Sequence, residues 1–258
     1  MEILLTNDDG VYTPAIAKLK ETINDIGNIT VVAPDVEQSG ASHSITFNRP
    51  LMARKVFINN KFFGYGISGS PADSVKLAVR ELMKEPPDLL ISGINMGANL
   101  GIHVLHSGTV AAAIEGAILG VPSIAVSLEY SDIPDIENAA LFTKKMIGCL
   151  SENKFPKGTL LNINIPAISW NSIKGIKVTR QYAFGLADHF DKHTDPNGQT
   201  FYWLTTSAKT PTSFVQGTDI EAIKDGYISI TPLQFDLTNP NMLNDLETMV
   251  KPLNDIAI

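Results

Sequence analysis

Two adjacent carboxylates, Asp8 and Asp9, leave the end of the apolar run Ile3-Leu4-Leu5, flanked by Asn7 and Gly10. Like charges this close disfavour each other's ionised form unless something positive sits between them. A bound divalent cation is the simplest such group. The ordinary alternative is a turn, because Asp-Gly is common turn chemistry. Neighbouring strand side chains point to opposite faces. Both carboxylates therefore reach one cation only if the chain bends at Asp8, and Gly10 permits that bend.

Two more polar clusters carry candidate chemistry. Ala33-Pro34-Asp35-Val36-Glu37-Gln38-Ser39-Gly40-Ala41-Ser42-His43-Ser44 places hydroxyls beside glycine. Such a segment is either a nest of inward-turned amides for an oxyanion or a plain polar loop. Ser92-Gly93-Ile94-Asn95-Met96-Gly97-Ala98-Asn99-Leu100-Gly101 repeats glycine at every fourth position and offers the amide oxygens of Asn95 and Asn99. Ser107-Gly108-Thr109-Val110 then precedes the apolar run Ala111–Leu119. A helix starting there presents unpaired amides and partial positive charge, both suited to phosphate; Ser107 also reads as an ordinary cap. Hard oxygen donors of this kind favour magnesium or manganese over zinc. His189 and His193 read as an exposed surface pair, and there is no Gly-x-x-x-x-Gly-Lys-[Ser/Thr] loop, Gly-x-Ser-x-Gly elbow or dinucleotide spacing.

Strand and helix signals alternate through the first half. Glu2–Thr6 and Ile29–Ala33 read as strands, with a helix over Thr13 to Ile26 between them. Leu51–Ile58 and Phe62–Ile67 read as a hairpin around Asn59-Asn60. Ser70-Pro71 caps a helix containing Val75, Leu77, Ala78 and Leu82. Leu89–Ser92 and Ser123–Ser127 are strands separated by a helix from Ser107 to Leu119, and Pro134–Leu150 is helical. This alternation predicts an α/β, Rossmann-like, three-layer fold: a mostly parallel sheet with helices on both faces. In such a sheet, ligands bind beyond the carboxyl ends of the strands, so the three polar clusters are expected on one rim. The texture changes near Lys157. Strands are expected at Leu160–Ile165 and Ile173–Thr179, irregular chain over 180–217 except for Thr200–Thr206, then a helix at Asp219–Lys224, a strand at Tyr227–Thr231 and a last helix at Asn241–Val250. We read one domain, with a core of about 1–178 and a β-rich carboxyl-terminal extension of about 179–258. A weakly cored arm of this length is either disordered or exchanged between subunits.

The 258 residues, 44% hydrophobic and 18% charged, suffice to bury a sizeable core. A net charge of -7 with no Lys/Arg cluster argues against a nucleic-acid polymer as partner. Cys149 is the lone cysteine and reads as a small buried side chain. The apolar stretch Val110 to Val126 is broken by Glu115, Gly116 and Pro122, too interrupted to span a membrane. The first residues enter a strand signal directly, without a basic stretch and apolar run. We expect a soluble cytoplasmic protein with no membrane partner.

These residues, taken together, resemble the SurE survival-protein nucleotidases. The likeness runs through Thr6-Asn7-Asp8-Asp9-Gly10, Ala33-Pro34-Asp35 to Ser39-Gly40, Ser44-Ile45-Thr46, Ser92 to Gly101, Ser107-Gly108-Thr109-Val110 with Glu115-Gly116, Asp195-Pro196-Asn197-Gly198, Tyr202-Trp203, Gly217-Thr218-Asp219 and Ser229 to Leu233. It implies a metal-dependent 5′/3′-nucleotidase that hydrolyses nucleoside monophosphates. One Mg²⁺ or Mn²⁺ per subunit would sit on Asp8, Asp9, Ser39 and Asn95, with Asp8, Asp9 and Asn95 catalytic. Phosphate and substrate contacts would come from Asn7, Gly40, Asn99, His106, Ser107, Gly108 and Thr109. The resemblance also implies a homodimer or homotetramer joined through an exchanged carboxyl-terminal arm. His106 stands where the family usually has tyrosine, Ala15 where it has glycine and Asn197 where it has arginine. The alternative readings are a phosphatase acting on polyphosphate or other phosphate monoesters, and a non-catalytic nucleotide-binding sensor.

Overall fold

Apolar residues on both sides of a strand require cover on both faces of a sheet, and the first strand has that pattern. In the computed structural model, which describes residues 1–152, 156, 158–183, 188–206, 215–251 and 253, Ile3 and Leu5 enter one core cluster and Leu4 the other. The described chain runs β1 (Glu2–Thr6), α1 (Pro14–Thr22), β2 (Asn28–Pro34), β3 (Ala53–Ile58), β4 (Lys61–Ile67) and α2 (Pro71–Leu77). It continues with β5 (Leu89–Met96), α3 (Gly108–Ile118), β6 (Ser123–Leu128), α4 (Ile136–Glu152), β7 (Leu160–Ile165) and β8 (Ile176–Val178). The last elements are β9 (Asp188–Thr194), β10 (Thr200–Thr206), α5 (Asp219–Lys224), β11 (Ile228–Leu233) and α6 (Leu243–Val250).

Among the described residues, nine strands form one sheet in the order β3-β4-β2-β1-β5-β6-β7-β11-β8. Neighbours from β4 through β7 are parallel; β3 and β11 pair antiparallel with β4 and β7. Helices α1 and α4 pack together on one face, burying Ile16, Leu19, Phe142 and Ile147; α2 and α3 cover the other with Val75, Val110 and Ala113. The expected three-layer α/β sheet is the fold observed. Strands β8 and β11, which follow β7 in the chain, complete the same sheet.

Local signals act where expected. Asn59 and Asn60 take positive φ of 52° and 60° at the β3–β4 turn, the conformation that matches a hairpin's twist. Ser70 Oγ accepts from the Asp73 amide at 3.0 Å and Asp73 accepts from the Ser70 amide at 2.9 Å, a reciprocal cap.

Several expectations need correction. Helix α1 stops at Thr22, and the chain turns through Ile23 to Ile26 instead of continuing as helix. β5 runs past Ser92 to Met96 because β6 continues beside it, pairing Asn95 with Ser127 and Met96 with Leu128 after a register shift. Cys149 is exposed: it lies two residues beyond the buried Ile147, a rotation of about 200° around the helix. The stretch expected to be irregular contains β9, paired antiparallel along its length with β10. Its sequence, Asp-His-Phe-Asp-Lys-His-Thr, has no apolar alternation because backbone pairing, not a buried face, holds it. His189 and His193 are exposed there, as expected. Lys157 and the segments 184–187 and 207–214 of the expected irregular stretch lie outside the described residues. Among the described residues no helix is long and apolar enough to cross a membrane.

Candidate active site

The carboxyl ends of β1, β2 and β5 converge on one cavity of about 770 Å³, into which Asp8, Asp9, Ser39, Gly40, Asn95 and Asn99 all open. The three polar clusters therefore share one rim. His106 and Ser107 line the same cavity.

The turn that presents the two aspartates is built by Asn7. Its Oδ1 accepts from the Gly10 amide at 3.1 Å, and its Nδ2 donates to the Gly10 carbonyl at 3.0 Å and to Thr13 Oγ1 at 2.9 Å. Gly10 adopts φ of 107° to close the turn. Asn7 was expected to touch substrate; its side chain is instead folded into the turn, because both ends of the amide bind the residues they shape. Asp8 is buried, and Thr109 Oγ1 donates to its Oδ1 at 2.5 Å. Gly108 packs beneath it: a Cβ at that position would lie 2.8 Å from the Asp8 Cβ and 3.0 Å from its Oδ2. The start of α3 is thus seated against Asp8. Of its expected phosphate contacts, Ser107 reaches the cavity lining while Gly108 and Thr109 stand behind the carboxylate.

Ser39 and Gly40 ride on a strap fastened at many points. The Gln38 amide donates to the Asp8 carbonyl at 2.8 Å, and the Ser42 amide to the His106 carbonyl at 3.1 Å. Ser42 Oγ donates to the Leu105 carbonyl at 2.7 Å. Further along, Thr46 donates through its amide and hydroxyl to Asp73 at 2.9 and 2.7 Å. His43 Nε2 lies 2.9 Å from Oε2 of Glu115 in α3, whose other oxygen is 2.8 Å from Lys76 Nζ. Burial pushes the Glu115 carboxyl up, but the His43 and Lys76 contacts outweigh it and leave the group below its ordinary value. Ser39 Oγ donates to Glu37 Oε1 at 2.6 Å.

The loop after β5 is equally constrained. Asn95 Nδ2 donates to the Gly97 carbonyl at 2.7 Å, which turns the amide so that Oδ1 is the atom left for a ligand. Gly97, at φ 144°, donates its amide to the Leu128 carbonyl at 2.8 Å. The Asn99 amide donates to Asn164 Oδ1 at 2.7 Å, and its carbonyl accepts from Asn162 and Asn164 at 2.8 and 3.1 Å. Asn99 Nδ2 donates to Ser127 Oγ at 2.9 Å. Asn99 therefore lines the cavity while most of its polar groups fasten the loop to β6 and β7.

The cavity is strongly acidic. Burial, then Asp8 and Glu37, push the Asp9 carboxyl up to about 6, against a hydrogen bond from the Met96 amide. Burial also raises Asp8, against its hydrogen bonds from Thr109. Among the described residues no lysine or arginine lines the cavity, so no permanently cationic side chain in its wall faces the three carboxylates. Nor, among the described residues, is any group of three His, Cys, Asp or Glu side chains placed to hold a metal ion. A cation here would rest on Asp8 and Asp9 completed by neutral oxygens, and Ser39 and Asn95 open to the cavity with such atoms. That all-oxygen set fits a hard divalent ion. Glu37 and His103 are cavity residues to which the sequence assigned no role. Glu37 had a signal, lying inside the second polar cluster; His103 had none, since only its 6.0 Å ring contact with His106 marks it.

Fold and site together define an α/β protein with an acidic, oxygen-lined ligand pocket at the carboxyl ends of parallel strands. The family model described as "Survival protein SurE" matches residues 3–186. A protein of Carboxydothermus hydrogenoformans named 5′-nucleotidase SurE is 46% identical over 258 residues, covering 98% of this chain and 97% of that protein. Another of that name from Syntrophobacter fumaroxidans is 43% identical over 246 residues, covering 95% and 98%. The crystal structure of the SurE protein from Aquifex aeolicus superposes with a TM-score of 0.84 at 40% identity, covering 96% of this chain and 99% of that one. The chain belongs to the SurE family.

Proposed function

We propose that this protein is a nucleotidase, a metal-dependent phosphoric monoester hydrolase that splits nucleoside 5′- or 3′-monophosphates into nucleoside and inorganic phosphate. One observation carries the reading: near-full-length relatives named 5′-nucleotidase go with a cavity that gathers two aspartates, a serine and an asparagine from three separate strand ends. Asp8, Asp9, Ser39 and Asn95 would hold one Mg²⁺ or Mn²⁺. Such an ion, when bound, supplies the positive charge that neutralises and polarises a phosphoryl group.

The chain's own residues do the positioning. Thr109 orients Asp8 through its hydroxyl, and the Met96 amide orients Asp9. Gly40, at φ 71° with nothing within 4 Å of a Cβ position, leaves its backbone open to phosphoryl oxygens. Ser107, which also lines the cavity, offers a second contact. His106, Pro134 and Ile136 give the cavity an aromatic and apolar side for the nucleoside. The overall change adds water across the ester: the P–O bond breaks, phosphorus gains the hydroxyl, and the nucleoside oxygen gains the proton. Donors preset around the place where charge develops are the usual source of rate in such sites.

The test is phosphate release from 5′- and 3′-nucleoside monophosphates, polyphosphate and a sugar phosphate, with Mg²⁺ or Mn²⁺ and with EDTA. Release from nucleotides that EDTA abolishes is the expected result. Activity indifferent to EDTA removes the metal; activity confined to polyphosphate makes the protein a different phosphatase. A thermal shift with nucleotide but no phosphate release makes it a sensor.

The same reading makes the protein a homodimer or homotetramer joined through its carboxyl-terminal arm. Supporting this, Phe190, Tyr202, Trp203 and Leu204 of the β9–β10 hairpin are exposed, as are Leu243, Leu246 and Met249 of α6. Light scattering on the purified chain gives the mass.

A further inference from the structure

Asp219 is fully buried, and its hydrogen-bonding partners are backbone amides rather than a basic side chain. Its Oδ2 accepts from the Gly101 amide at 2.8 Å. Its Oδ1 accepts from the Tyr182 amide at 3.0 Å and from the Ile220 amide at 2.9 Å. Burial pushes the carboxyl up against these bonds. Residues 101, 182 and 219 are far apart in the chain, and what they join is specific. Gly101 ends the loop that begins at Gly97, after β5. Tyr182 is where the chain leaves the body toward β9, and Gly217 to Asp219 is where it returns. The two crossings are themselves laced: the Arg180 amide donates to the Gly217 carbonyl at 3.0 Å and the Asp219 amide to the Arg180 carbonyl at 2.9 Å. Gln181 Nε2 adds a bond to the Gly101 carbonyl at 2.8 Å. Contact at Gly101 is close as well. Its φ is 55°, and a Cβ there would lie 3.0 Å from the Tyr182 carbonyl oxygen.

We propose that Asp219 is a positioning residue: it clasps the base of the β9–β10 arm to the pocket loop Gly97–Gly101, which follows β5, and so sets where Asn99 stands in the cavity. Buried hydrogen bonds to an ionised acceptor are among the stronger ones in proteins. A carboxylate that holds both crossings and the loop moves them together. The loop's other fastenings, from Asn162, Asn164 and Leu128, reach Gly97 and Asn99; Asp219 and Gln181 hold its far end. The kinetic part of the test rests on the nucleotidase reading, and the structural part does not.

Asp219→Asn keeps the side chain's shape but replaces one acceptor oxygen with an N–H₂ group, so either the Gly101 bond or the Tyr182 and Ile220 bonds are lost. Amide hydrogen exchange over residues 97–105 should accelerate on the order of tenfold in the folded variant, the loss of one buried hydrogen bond. Turnover of a nucleoside monophosphate should fall about tenfold or more, with KM within about twofold of wild type, since misplacement by a fraction of an ångström penalises the reacting geometry more than binding. Unchanged exchange in that segment overturns the clasp. Accelerated exchange with wild-type turnover overturns the positioning role and leaves a local strut. Should the wild-type protein release no phosphate, the functional reading fails, and exchange alone decides the clasp. Should Asp219→Asn not fold, Gln181→Ala, which removes only the partly buried bond to the Gly101 carbonyl, is read in the same way with a smaller expected change.

Discussion

At the carboxyl ends of β1, β2 and β5, several polar side chains near the cavity are held by other residues of the chain: Asn7 by Gly10 and Thr13, Asp8 by Thr109, His43 by Glu115, Asn99 by Ser127. Along β9, β10 and α6 the pattern reverses. Phe190, Tyr202, Trp203 and Leu204 are 66%, 59%, 65% and 62% exposed, and among the described residues the hairpin's strands pair only with each other. Large apolar side chains left in solvent along one hairpin are unusual for a chain that functions alone. The pocket is braced by contacts within the chain, while the arm presents apolar side chains that the described residues leave exposed. Asp219 lies where the two regimes meet.

Four measurements break or sharpen that contrast. Asp8→Asn has the largest expected effect: turnover should fall by about 10²- to 10³-fold, with no loss of melting temperature in EDTA, because burial disfavours the charge that the substitution removes. Retained activity would separate the pocket from the chemistry. Next, Ile16→Ala deletes a fully buried side chain of α1 and should lower urea stability by about 2–5 kcal/mol.

Third comes pH. Asp9 is raised from its ordinary 3.8 to about 6 by burial, Asp8 and Glu37. An acid held this way binds its proton more tightly folded than unfolded, so its contribution to stability declines as pH rises through that window. In EDTA, the melting temperature of wild type should therefore fall relative to Asp9→Asn between about pH 4 and 6, and the two curves should run parallel outside it. The smallest effect belongs to the arm. Trp203→Ser should leave urea stability within about 0.5 kcal/mol of wild type while lowering the mass seen by light scattering. A loss as large as that of Ile16→Ala would show that the arm is core after all.

Much of this was legible in the order of residues. Alternation of strand and helix signals in the first half predicted the parallel sheet, and punctuation at Asn59-Asn60 and Ser70-Pro71 put turns and caps where they occur. The three polar clusters were assigned to one rim from sheet topology alone. What escaped had physical reasons. β9 has a single apolar residue, Phe190, so no hydrophobic period announced it. β5 outruns its apolar stretch because a neighbouring strand, not its own composition, extends it. Asn7 read as a ligand contact because its amide type allows one; only the turn's geometry takes up both ends of that amide. Glu115 stood out as a break in an apolar run, and its partner His43 is 72 residues away.

Residue types and their local spacing determined the strands, the caps and the fact that paired aspartates sit at the end of a buried strand, because these depend on interactions among near neighbours. Tertiary structure alone decided that α3 closes behind Asp8, that α2 and α3 fasten the strap carrying Ser39, and that Asp219 reaches Gly101 across 118 positions. Those contacts join distant segments, and which segments meet depends on how the sheet is ordered and packed.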